Sequence, residues 1–150
     1  MRHKPRVLFF STGDATRSRM AAALLRCLTD EVEAASTAVK SVGAHTLAEE
    51  VMSEIGVDIT TYCAKPVAES LREHFAVVVT LSDHTKERHP VWPFTRNLVH
   101  WNLADPAALD GSVEQRRAAF RQTRDEIQQR TRELAESMQP APVYLHAAAA

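Results

Sequence analysis

Four consecutive apolar residues, Val7-Leu8-Phe9-Phe10, sit between a basic start and a run of small or polar residues, and they read as a short buried strand over 6–10. Over 17–29 the apolar spacing becomes helical. Met20, Ala21, Leu24, Leu25 and Leu28 share one face, while Arg19 and Arg26 fall elsewhere on the wheel; Cys27 on this helix is expected in the core. Asp30, Glu31 and Glu33 interrupt the pattern. Residues 38–43 read as a second short strand ended by Gly43. Residues 47–55 read as a second helix, with Val51, Met52 and Ile55 on its apolar side and Gly56 as its stop. Residues 57–62 form an irregular link, and Pro66 opens a short third helix to about residue 74.

The run Phe75-Ala-Val-Val-Val-Thr-Leu81 is nearly continuous in β-formers, as befits a strand buried on both faces. Residues 82–96 form a polar loop carrying Pro90 and Pro93, and 97–101 form a fourth strand. A loop with Asp105-Pro106 follows, over 102–111. Ser112 with Gln115 reads as a capping box opening a last helix, along which Val113, Phe120, Ile127 and Leu134 recur every seventh residue. The charged remainder of that helix reads as a solvated face. Beyond Met138, Gln-Pro-Ala-Pro and a run of alanines predict a frayed tail over 139–150. Strands alternating with helices predict a single α/β domain over 1–138, with a four-stranded parallel sheet flanked by helices in three α/β/α layers. Ligands of such sheets bind beyond the carboxyl ends of the strands, and the segments after the first and fourth strands both open there.

The chain has 150 residues, 45% of them hydrophobic, and a formal net charge of −1, which suits one core and gives no electrostatic case for nucleic acid or an anionic membrane. No apolar run approaches the roughly 20 residues of a membrane span, and the basic start precedes too short an apolar run for a signal peptide. A cytoplasmic protein is expected. Cys27 and Cys63 suggest no disulfide framework and read as reduced thiols. His84, His89 and His100 fit no compact metal-ligand spacing and read as surface histidines; neither metal nor cofactor is expected. Trp92 and Trp101 either rim a pocket or close the edge of the core.

The candidate chemistry lies in Ser11-Thr12-Gly13-Asp14-Ala15-Thr16-Arg17-Ser18. A strand, a tight loop and a helix start gather backbone N–H groups and the positive end of the helix dipole around one point. Arg17 adds a guanidinium able to clamp two oxygens of a tetrahedral oxyanion. The pattern points to a phosphate-like ligand held by residues 11–18, with Ser11 and Ser18 donating hydrogen bonds to it.

Cys-x5-Arg followed by Ser is the signature of low-molecular-weight protein tyrosine phosphatases and of the arsenate reductases that share their fold. This chain resembles that superfamily over about residues 6–138, with Ser11 in the cysteine's position. Three segments carry the likeness. They are Val7 to Leu25, including Arg17-Ser18 and Met20-Ala21; then Val78-Val79-Thr80-Leu81-Ser82-Asp83; then His89-Pro90-Val91-Trp92-Pro93, His100-Trp101 and Asp105-Pro106-Ala107. The last looks like the arsenate-reductase branch. The resemblance implies Ser11 at the nucleophile position, Arg17 on the oxyanion, Ser18 supporting the nucleophile and Asp105 as general acid. It also implies further reductase cysteines where Ser82 and His89 stand, and an Asn where Asp14 stands.

A serine hydroxyl is not ionised by the dipole and cation that activate a cysteine thiol, and Asp14 in an oxyanion nest repels the ligand it would help to attack. Serine also supplies no electrons for reducing arsenate. The expected function is therefore an arsenate-reductase-like or phosphatase-like protein that binds phosphate or arsenate in the Ser11–Arg17 loop with little or no catalysis, a pseudoenzyme. One alternative is an active phosphatase or reductase, with Cys63 as a substitute thiol, or an engineered Cys-to-Ser trap of such an enzyme. Another is an interaction protein that holds a phosphorylated side chain of a partner.

Overall fold

The computed structural model describes residues 3–11, 15–39, 45–60, 64–82 and 92–138. Four strands, β1 (Arg6–Ser11), β2 (Glu33–Ala38), β3 (Phe75–Ser82) and β4 (Thr95–Asn102), form one parallel sheet in the order β2-β1-β3-β4. The helices are α1 (Thr16–Leu28), α2 (Thr46–Ser53), α3 (Val67–Ser70) and α4 (Val113–Met138), with a 3-10 turn at Pro106–Ala108. The expected single α/β domain with a four-stranded parallel sheet is the observed architecture.

Alternation along the strands divides the core in two. Val7 and Phe9 of β1, with Val77, Val79, Leu81 and Trp101, face a layer built from α1, α2 and α4. Leu8, Phe10 and Val78 face the other way, where Phe75 at the start of β3 joins them, against Trp92 and the half-buried Val67 and Leu71. Trp101 packs on Phe9 and Trp92 sits edge-on to Phe10, so both tryptophans belong to the core.

Several elements depart from the sequence pattern. The second strand lies at Glu33–Ala38, not 38–43. Its side chains are small because α1 packs directly over it, and pairing with β1, Arg6 opposite Glu33 through Ser11 opposite Ala38, makes the strand. Gly43 lies outside the described residues. Cys27 and Leu28 keep the phase of α1's apolar face, yet both are exposed, because burial along the helix stops at Leu25. Ile55 lies past the end of α2, exposed in the turn to Gly56, whose φ of +78° suits glycine. The third helix is one turn following Pro66. Val113 is exposed and Leu134 half-buried, so the buried stripe of α4 runs through Phe120, Thr123, Ile127, Thr131 and Ala135. Ser112 and Gln115 do exchange hydrogen bonds in a capping box.

The charged side of α4 is more than a solvated face. Arg117 pairs with Glu50, Arg121 and Arg124 both pair with Glu54, and Arg124 also donates to the Val51 carbonyl at 2.8 Å. The hydrogen bond from Arg121, and then that from Arg124, hold the Glu54 carboxyl at about 2, well below its ordinary 4.5. This ladder fastens α2 along α4.

Candidate functional site

Ser11 ends β1 fully buried, level with Leu81 of β3 and, one strand further, Trp101 of β4. Its hydroxyl oxygen accepts the backbone N–H of Ser18 at 2.9 Å. That N–H is one of the amides that a helix leaves without an internal partner in its first turn. Ala15, at the N-cap, offers no side-chain cap, and the first turn holds no acidic residue. Among the described residues, no carboxylate offsets the positive dipole end of α1. The Ser18 hydroxyl donates to the Ala15 carbonyl at 3.1 Å. Ala15 and Thr16 are buried beside it. Thr12, Gly13 and Asp14 lie outside the described residues.

Arg17 is 4% exposed, and its Nη1 donates to the Leu103 carbonyl at 2.8 Å. Among the described residues no carboxylate pairs with it. Two residues after Leu103, Asp105 accepts the Ala107 N–H on Oδ1 at 3.0 Å and so caps the 3-10 turn. Arg17 thus ties the start of α1 to the segment carrying Asp105, as expected of two loops on one edge of the sheet. The half-buried Asp105 is oriented by that cap, and no ion pair to it is formed among the described residues.

His100 is not a surface residue: it is half-buried, with Nδ1 2.6 Å from the Thr80 hydroxyl. His84, His89, Asp83 and Cys63 lie outside the described residues. Among the described residues no group of three or more His, Cys, Asp or Glu is placed to hold a metal. No helix there is long and apolar enough to cross a membrane.

Two contacts at the site carry no motif. One is the Leu103 carbonyl, which acts through the main chain. The other is His45, at the N-cap of α2, whose backbone N–H donates to the Thr16 hydroxyl at 3.2 Å. Its position just ahead of Leu47-Ala48 was the only available signal, and histidine is not among the usual cap residues.

A cavity of about 480 Å³ opens elsewhere, against the first residues of β1 and β2, lined in part by Lys4, Arg6, Arg26, Glu33 and Lys65. Three of these cations are engaged: Arg6 with Glu33 and Glu73, Lys65 with Glu73, and Arg26 on the Ala34 carbonyl. Burial pushes the Glu73 carboxyl up, but hydrogen bonds from Lys65 and Arg6 outweigh it and hold the group below its ordinary value. These pairs bind β1, β2 and the segment after α3 together.

The family model of low molecular weight phosphotyrosine protein phosphatase matches residues 6–142. An arsenate reductase of Halalkalibacterium halodurans is 34% identical over 136 residues, 90% of this chain and 98% of that one. An arsenate reductase of Bacillus subtilis is 31% identical over 132 residues, 87% and 95% of the two chains. Among solved structures, an arsenate reductase in the phosphate binding state superposes with a TM-score of 0.75 at 24% identity, covering 90% of this chain and 99% of that one. A tyrosine phosphatase of Erwinia amylovora superposes with a TM-score of 0.70 at 19% identity, covering 92% and 95%. With its parallel sheet and the Arg17-Ser18 helix start in place, the chain belongs to the low molecular weight phosphotyrosine protein phosphatase family, which it shares with these arsenate reductases.

Proposed function

We propose that this protein binds a tetrahedral oxyanion, arsenate or phosphate, between residues 11 and 18, and turns it over little or not at all. The observation that carries the reading is the buried Arg17 guanidinium, which has a neutral carbonyl but no described carboxylate beside it. A buried cation is costly without a counter-charge, and an anion at the start of α1 supplies one. The solved arsenate reductase with phosphate bound is a fold neighbour consistent with this.

The absence of turnover follows from Ser11. A thiol at this position has its pKa lowered by the dipole and the guanidinium, whereas a hydroxyl needs a base to become a nucleophile. Reducing arsenate takes two electrons from thiols. Cys27, the free thiol among the described residues, lies eleven residues along α1 from Thr16, about 16 Å at the rise of an α-helix. Reduced thiols of this kind fit the cytoplasm, the compartment assigned by the same reading.

Calorimetric titration with arsenate and phosphate tests the proposal directly. The native chain is expected to bind both, and Arg17→Ala to bind neither. Equal affinity in the two proteins would overturn it, and much tighter binding of phenyl phosphate would instead favour a phosphorylated side chain as the ligand.

A further inference from the structure

We propose that His45 is a positioning residue for the anion loop: by capping α2 it places its own backbone N–H on Thr16 and holds the first turn of α1 in register for an oxyanion. The inference rests on the oxyanion reading above. A helix start that keeps its amides for a ligand has no local cap of its own, and Ala15 provides none. Its position is fixed from outside. Ser11 holds the Ser18 amide from the sheet side, and His45 holds the Thr16 hydroxyl from the side of α2.

His45 is itself held on three sides. Its Nδ1 accepts the Leu47 N–H at 3.1 Å, closing the first turn of α2. Its ring stacks on Phe120 of α4, centroids 4.9 Å apart and planes 28° from parallel. Arg116 Nη2 lies 3.5 Å from Nε2. With Nδ1 accepting, the neutral ring carries its hydrogen on Nε2, so Arg116 is a packing neighbour and not a donor to the ring. The arginine ladder to Glu50 and Glu54 then fixes α2 along the helix that carries Phe120. The path runs from α4 through His45 to Thr16, one residue from Arg17.

A histidine that merely stabilised α2 would leave the start of α1 unmoved, and this separates the two roles. In the full chain, His45→Ala is expected to weaken arsenate binding about fivefold and to speed amide exchange at anion-free Ser18 by a similar factor, the size of a lost cap. His45→Asn, a good N-cap, is expected to restore both to within about twofold. If His45→Ala lowers Tm but leaves arsenate affinity and Ser18 exchange at native values, the proposal is overturned. Should His45→Ala fail to fold, Thr16→Val removes the same hydrogen bond from the other side; native affinity and exchange in that variant overturn it equally. If the native chain binds no arsenate, the oxyanion reading fails by itself, and Ser18 exchange still decides whether His45 holds the loop.

Discussion

Replacing Arg17 by methionine separates what the residue does for binding from what it does for folding. Methionine keeps the length and apolar stem and deletes the charge. The loss is one hydrogen bond from a charged donor to the Leu103 carbonyl, about 1.5–3 kcal/mol. The gain is relief from burying a cation at 4% exposure without a described carboxylate, a penalty on the order of several kcal/mol after relaxation. Net, the anion-free variant is expected to be more stable than the native chain by about 1 kcal/mol, or about 3 °C in Tm for a domain of this size. Arsenate at a hundredfold excess over its Kd adds about 2.7 kcal/mol to a protein that binds it, about 8 °C, and nothing to one that does not. Thermal melts in anion-free buffer and in arsenate should therefore invert the order of the two proteins. The reasoning is refuted if the variant melts more than about 5 °C below the native chain without anion, or if arsenate still raises its Tm.

Ser11→Cys places a thiol at the start of α1, and hydrolysis of p-nitrophenyl phosphate is expected to rise from undetectable to a kcat on the order of 1 s⁻¹. Turnover by the native chain would show that Ser11 is itself active. In that cysteine background, Asp105→Asn is expected to lower kcat by about 10²–10⁴-fold if Asp105 protonates the leaving group; an unchanged rate would reduce it to a turn cap. Phe120→Ala empties a fully buried site under His45 and is expected to cost about 4 kcal/mol in denaturant unfolding, against under 1 kcal/mol if α4 collapses into the space. Glu54 has its pKa depressed to about 2 from 4.5, so its contribution is present above pH 4.5 and lost as pH falls towards 2. Glu54→Gln should flatten the stability profile in that window, and an identical acid limb in both proteins would contradict the ladder.

The parts of the fold that were legible are those whose own residues decide them. The apolar run of β3 and the helical spacing of α1 declare themselves in any setting that buries them. β2 does not, because Glu-Ala-Ala-Ser-Thr-Ala is a strand only while β1 pairs with it and α1 covers it. Cys27 and Leu28 were misplaced for a related reason: a helical wheel records phase, and nothing in phase marks where the covering layer stops. In the site, Ser11, Arg17 and Ser18 could be read because eight consecutive residues hold them. Arg17 on the Leu103 carbonyl and His45 on Thr16 link residues 86 and 29 positions apart, through main-chain atoms that carry no sequence signal.

The position of β1 has a consequence for how the chain is made. The first strand to be synthesised lies inside the sheet, between β2 and β3. Once Ala38 has left the ribosome, β1, α1 and β2 can pair, but the other edge of β1 is bare and Leu8 and Phe10 lack Val78 and Trp92 as cover. Roughly 40 more residues precede β3, an interval of about 2–8 s at ordinary synthesis rates. For that time the nascent chain presents an unpaired strand edge beside two uncovered apolar side chains, the arrangement most prone to join another chain. A fragment ending near residue 60 should accordingly aggregate, and adding a separate peptide of residues 74–102 should keep it in solution.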